Sequence, residues 1–133
     1  MQKTIEVVAA IIECSGKILL AQRSSGSELS GYWEFPGGKV ETGETQSEAL
    51  RRELREELSI DAQIGDYIAS SELALSEKHI VLHAWQVQAF TGELTLHRCH
   101  AQLAWVTPKQ AFHYPLAPAD IPLLEAYIAQ KSL

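Results

Sequence analysis

Apolar residues fall in short unbroken runs before residue 36 and at helical spacing after residue 45. Thr4 to Glu13, rich in Ile, Val and Ala, predicts a buried strand. Cys14-Ser15-Gly16 reads as a turn, and Lys17 to Arg23 as a returning strand. Ser24 to Gly31 is polar and loop-like. Tyr32 to Phe35 is short and extended, stopped by Pro36-Gly37-Gly38, with Gly43 further along the same loop. Thr45 to Leu58 then carries Leu50, Leu54 and Leu58 on one helical stripe, and Thr45 with Glu48 is a capping-box pair. Further strands are expected over Ile64 to Ser71, His79 to Ala89 and Leu103 to Val106. Thr107-Pro108 opens a short helix, with Pro at its first position, and Asp120 to Lys131 forms the last. Strands and helices mixed in this way predict an α/β (α+β) fold.

Length and charge narrow the function. The 133 residues suit a single domain over positions 1–133, with little room for a separate regulatory module. The net charge of -6 argues against a nucleic acid polymer as partner, since phosphate contacts on such polymers call for a basic face. A small anionic substrate remains open if a cation masks the carboxylates. Cys14 and Cys99 are too few for a disulfide framework and read as reduced thiols. Met1 to Lys3 carries no targeting pattern, and Ile5 to Ile12 is far short of a membrane span. A cytoplasmic protein with no membrane partner, monomeric or a small homo-oligomer, is expected.

The densest chemistry lies on the central helix. At about 100° per residue, Glu53, Glu56 and Glu57 share an arc of roughly 100° beside the leucine stripe. At i±4 spacing only Glu56 finds a basic mate, Arg52, while Glu53 and Glu57 face each other as like charges. The alternatives are a solvated charged face and a site for a hard divalent cation, which takes oxygen ligands and keeps waters and phosphates in its shell. The upstream Gly37-Gly38, with backbone open to a metal or a phosphate, adds weight to the second.

Taken together, Gly38, five residues, Glu44, seven residues, and then Arg52-Glu53-Leu54-x-Glu56-Glu57-x-x-Ile60 resemble the Nudix box. Ser59 departs from it, standing where the box has a Gly that ends the helix at positive φ. Likeness to the MutT-like branch, and within it to members that hydrolyse cytidine nucleotides, extends over nearly the whole chain. The resemblance implies a mixed sheet packed between helices and a Mg²⁺ cofactor, with Mn²⁺ as substitute. It also implies water attack on a nucleoside triphosphate, giving a nucleoside monophosphate and pyrophosphate. (d)CTP-type or modified dNTPs are the implied substrates. An 8-oxo-dGTP hydrolase, an RNA-cap or dinucleotide hydrolase and a catalytically silent nucleotide-binding module are the rivals, the RNA-cap one disfavoured by the acidic charge and small size.

By the same resemblance, Gly37, Gly38, Glu53, Glu56 and Glu57 are the expected metal site. Glu53 and Glu56 are expected to be catalytic, with Arg52 holding the carboxylates and Glu44 bracing the loop. Arg23 is the candidate phosphate clamp, with Lys39 and Lys78 as weaker ones. Glu34 and Phe35 are candidate substrate contacts, Phe35 by stacking on the base or else as a core ring. Asp120 is expected to cap the last helix, to read the amino-bearing edge of cytosine, or both. Some MutT-like members carry a Glu about six residues before a strand tryptophan. Counting back from Trp105 gives Cys99, a poor Mg²⁺ ligand. Glu53 is then expected to act alone as base, or with help from His100. His79, His83, Trp85 and Trp105 read as sheet residues.

Overall fold

The structure, a computed structural model, describes residues 3–26, 29–95 and 100–131. Strand β1 (Lys3–Cys14) is the axis of the sheet. Its Ile- and Val-rich stretch Val8 to Ile12 is buried on both faces, which is why it reads as a run without alternation. Along Lys3 to Ile12 it pairs in parallel with β6 (Lys78–Thr91), which pairs antiparallel with β5 (Asp61–Ala74). On its other edge β1 meets β4 (Gly37–Lys39) at Val7 to Ala9 and β2 (Lys17–Arg23) at Glu13 and Cys14, both antiparallel. Strand β2 also carries β3 (Trp33–Glu34) and β7 (His100–Val106).

Helix α1 (Gln46–Leu58) covers one face and helix α3 (Ile121–Lys131) the other. Leu50, Leu54 and Leu58 are fully buried against Val8, Ala10 and Ile12. Leu123, Leu124 and Tyr127 pack with Ala9, Ile11 and Leu82 on the opposite side. The expected mixed sheet between helices is therefore what forms. Among the described residues no helix is long and apolar enough to cross a membrane.

Several expectations are refined. Strands β5, β6 and β7 begin earlier or run longer than the apolar runs alone suggest, because pairing continues where side chains are polar. The Gly37-Gly38 stretch, expected as a loop, is the short strand β4. A Cβ on Gly37 would lie 1.9 Å from the Val8 carbonyl, so only glycine lets the two backbones pair. The capping box at α1 forms as expected: the Thr45 hydroxyl accepts from the Glu48 amide at 3.1 Å, and Glu48 Oε1 accepts from the Thr45 amide at 2.8 Å. Thr107 and Gln110 do the same for α2 (Pro108–Ala111).

Ser59 ends α1 in the left-handed region, at φ 60° and ψ 34°, with its amide donating to the Arg55 carbonyl. A side chain there costs roughly 1–2 kcal/mol, part of which glycine returns as greater freedom in the unfolded chain. Ser59→Gly is expected to raise stability by about 0.5–1 kcal/mol, measured by urea unfolding. A less stable variant would show that the serine side chain, and not the backbone geometry, governs this helix end.

Candidate active site

The sheet pairing brings β4 across the middle of α1, so the acidic arc meets the glycine strand. The Glu53 carboxylate lies directly against Gly38: a Cβ on that glycine would sit 2.4 Å from the Glu53 Cδ. Glu53 and Glu57 side chains are mostly buried, at 16% and 15% exposure, whereas Glu56 is 60% exposed. Glu56 therefore stands at the solvent-exposed margin of the arc rather than at the edge of the core.

Arg52 organises the carboxylates. Its Nε and Nη2 make a two-pronged contact with Glu44, at 2.7 and 3.0 Å. Its Nη1 donates to Glu53 Oε1 at 2.8 Å and more weakly to Glu56 Oε2 at 3.4 Å, and Nη2 also donates to the Lys39 carbonyl at 3.0 Å. Counting partners only at i±4 spacing missed the Arg52–Glu53 contact, because a long side chain also reaches its neighbour. Glu44 takes the Glu41 amide at 3.0 Å, which closes the loop onto the helix. The Arg52 hydrogen bond holds the Glu44 carboxyl below its ordinary range.

Glu57 has no such relief. Its Oε1 is buried without a hydrogen-bond partner. Burial pushes its pKa up to about 9, reinforced by the Glu53 carboxyl and the charge of Glu34 and opposed by the Gly37 amide. No ready-made cage of three or more acidic, His or Cys side chains occurs among the described residues. What exists is a half-site of hard oxygen donors with one buried oxygen unmatched. That arrangement suits a divalent cation completing its shell with water and substrate oxygens.

A second set of residues flanks this half-site. Arg23 Nη1 donates to Glu34 Oε1 at 2.9 Å, and Glu34 Oε2 contacts His100 Nε2 at 3.0 Å. His100, expected in a loop, opens β7 with its side chain only 2% exposed. Cys99, His97 and Arg98 lie outside the described residues. A cavity of about 130 Å³ lies between Arg23, Glu34, Gly38, Leu82 and Asp120. Larger hollows exist, one of about 550 Å³ beside the exposed Arg51–Asp61 pair, but none of the acidic arc lines it.

Beyond the cavity the sheet offers an apolar shelf. Val7 and Leu82 are register partners, and two residues further on Ile5, Ile80 and Leu73 lie abreast across three strands, all half-buried. The shelf was not anticipated, because its residues come from three separate strands. Lys78 lies at its far end, about 13 Å from Leu82 along β6, and does not line the cavity.

Of three other candidates, Phe35 takes its core alternative, and the expectations for Lys39 and Asp120 change. The Phe35 ring is 3% exposed and belongs to the core, so what it presents to the site is its backbone amide. Lys39 is exposed, and it is its carbonyl that is tied in, by Arg52. Asp120 is not seated as the cap of the last helix: it ends a 3-10 turn (Pro118–Asp120), and its Oδ1 accepts from the Phe35 amide at 3.1 Å. His79 and His83 pair with Glu72 and with Tyr67 and Glu6, and the Trp85 indole donates to Gln46, so these are sheet residues as expected.

A glycine strand pressed against a helical carboxylate arc, within a mixed sheet flanked by helices, defines a class. The NUDIX domain family matches residues 2–127, and the chain belongs to that family. It is a MutT-like Nudix hydrolase. It is 58% identical to the CTP pyrophosphohydrolase of Escherichia coli (strain K12) over 130 residues, 98% of this chain and 96% of that one. It is 41% identical over 117 residues to the "Putative 8-oxo-dGTP diphosphatase 2" of Mycobacterium tuberculosis (strain ATCC 25618 / H37Rv), covering 86% and 81% of the two. Among solved structures it superposes on the E. coli ORF135 protein with a TM-score of 0.91 at 57% identity, covering 98% of this chain and 93% of that one. The MutT protein of Methanosarcina mazei Go1 follows at 0.89 and 26%, covering 99% and 98%.

Burial pushes the Asp120 carboxyl up to about 8, helped by the charge of Glu34 and opposed by the Phe35 amide and Arg23. A folded-state value above the unfolded one means the native state binds the extra proton. The resulting stability is complete below the unfolded value of 3.8 and is lost as pH rises through about 8. Asp120→Asn keeps an oxygen for the Phe35 amide and cannot ionise. Its urea stability is expected to decline less than the native protein's between pH 5 and 8.5. Parallel declines would show that Asp120 does not hold its proton in the fold.

Proposed function

We propose that this chain works as a single-domain, divalent-metal-dependent pyrophosphohydrolase. It cleaves a (d)CTP-type or modified deoxynucleoside triphosphate to the monophosphate and pyrophosphate. The observation that carries the reading is the buried Glu57 oxygen that lacks a hydrogen-bond partner, beside Glu53 and Gly37-Gly38. The 58% identity to a CTP pyrophosphohydrolase over nearly the whole chain supports the cytidine assignment. The 41% identity to a putative 8-oxo-dGTP diphosphatase keeps oxidised purine nucleotides as the second reading.

Bound Mg²⁺, or Mn²⁺ in its place, supplies charge neutralisation for the phosphate oxygens and Lewis acidity. Glu53, Glu56 and Glu57, with the Gly37-Gly38 backbone, would hold the ion. Arg52 fixes the positions of Glu53 and Glu56 through its hydrogen bonds. Glu53 takes the proton of the attacking water, whose oxygen forms the new bond to phosphorus as the bond to pyrophosphate breaks. Arg23, oriented by Glu34, borders the cavity as a donor to phosphate oxygens. The base lies on the shelf of Val7, Ile80 and Leu82, with its polar edge at Asp120. All three arc carboxylates are present, which favours an enzyme over a silent binding module.

Glu56→Gln is expected to lower turnover by about 100-fold or more, as for loss of a charged metal ligand. Its exposed side chain should leave the melting temperature unchanged. Product analysis should show monophosphate and pyrophosphate, and excess chelator should abolish both. Native activity in chelator, or diphosphate and orthophosphate as first products, would overturn the reading.

Asp120 gives a separate test of base choice. A protonated carboxyl donates to cytosine N3 and accepts from its amino group, whereas uracil offers N3–H and no amino group. The ratio of kcat/KM for CTP over UTP is expected to fall by about fivefold or more from pH 6.5 to 8.5, matching loss of one such base contact. In Asp120→Asn the ratio should stay flat. Equal pH behaviour of the two proteins would remove Asp120 from base recognition.

A further inference from the structure

His100 is a buried polar side chain that the box residues do not account for. It opens β7, opposite Arg23 on β2 in the sheet register. Its ring stands between two carboxylates, with Nε2 at 3.0 Å from Glu34 Oε2 and Nδ1 at 3.9 Å from Glu57 Oε1. Glu34 is already held at its other oxygen by Arg23. A carboxylate in that ion pair accepts hydrogen bonds, so Nε2 carries the hydrogen it shares with Glu34, and this fixes the plane of the imidazole. The edge carrying Nδ1 then faces the one buried oxygen of Glu57 that lacks a hydrogen-bond partner.

We propose that His100 is a positioning residue that spaces Glu34 from Glu57 and fixes the Glu57 carboxylate against the Gly37-Gly38 strand for divalent-cation binding. Arg23, Glu34, His100 and Glu57 thus form a continuous chain from the cavity mouth to the acidic arc. The inference rests on the metal-dependent reading above. Its physical basis is twofold. The ring fills the space between two carboxyl groups that would otherwise be free to approach each other. Its Nε2–H also anchors that filler to Glu34, so the filler has one orientation. Partners of metal ligands that act in this way typically change metal affinity by about 10–100-fold when removed.

The test measures Mn²⁺ binding alone, by titration with electron paramagnetic resonance detection of free ion, on the full chain without nucleotide. Thermal melts confirm that each variant is folded. His100→Phe keeps the bulk and removes both nitrogens, and His100→Gln keeps a nitrogen donor at a similar reach. His100→Phe is expected to weaken Mn²⁺ binding by about tenfold or more. His100→Gln should stay within about threefold of native, the pattern expected when the anchoring hydrogen bond is what matters. In turnover assays the loss in His100→Phe should be recovered in part by raising the Mn²⁺ concentration, with little change in the KM for nucleotide at saturating metal. Native Mn²⁺ affinity in His100→Phe would overturn the proposal, as would equal losses in the Phe and Gln variants. Failure of the native protein itself to bind Mn²⁺ would instead sink the metal-dependent reading on which the proposal rests.

Discussion

The architecture of the site depends on the contact between Arg52 and the carboxylates around it. One guanidinium reaches Glu44, Glu53, Glu56 and the Lys39 carbonyl, so it joins the loop before α1, the helix and the end of β4 in one unit. Its side chain is 24% exposed, which leaves these contacts only partly screened by solvent. Two of the acids it binds would otherwise repel their neighbours on the same arc. The third, Glu44, closes the loop by taking the Glu41 amide. An Arg is required for this because a planar fork of donors can serve several acceptors in fixed directions, which a lysine cannot.

That arrangement leaves one acid uncompensated. Arg52 contacts Glu53 on the side facing the loop, while Glu57 lies one turn further on and reaches the Gly37 amide and the neighbourhood of His100. The fold thus stabilises the acidic arc at one end and leaves an electrostatic demand at the other. A stability-optimised helix would not bury a carboxylate oxygen without a partner, since such a group costs roughly 1–3 kcal/mol. In the proposed metal-dependent reading a divalent cation meets that demand, beside a strand that carries no side chain at Gly37 and Gly38. A Cβ on Gly37 would run into the β1 backbone, so that position accepts no side chain, while a Cβ on Gly38 would push the Glu53 carboxylate aside.

A similar linkage appears on the side of the proposed nucleotide site. Asp120 is buried, joined to the Phe35 amide and influenced by both Glu34 and Arg23. The residues expected to meet the base and the phosphates are therefore electrically connected through Glu34, which also touches His100.

Much of this was legible in the order of residues. The stripe Leu50, Leu54 and Leu58, the Thr45–Glu48 cap and the spacing of Arg52, Glu53, Glu56 and Glu57 are local features, and local features follow from the helical period alone. The departure at Ser59 could be read for the same reason, since a helix end is set within a few residues. Gly37-Gly38 stood out as well, but it read as a loop, because the pairing with β1 that makes it a strand is long-range. What the order of residues could not decide is which distant groups meet. Asp120 looked like a helix cap because capping is a local role, yet its carboxylate is taken by an amide 85 positions away. Phe35 could have been a platform or a core ring, and only the packing of α3 against the sheet placed it in the core. His100 sat in an ambiguous stretch beside Cys99, and only the pairing of β7 with β2 carried it between Glu34 and Glu57. The apolar shelf needed three strands laid in register. Short-range periodicity determined the helix and its acidic face; long-range strand pairing, which no local pattern encodes, decided what that face confronts.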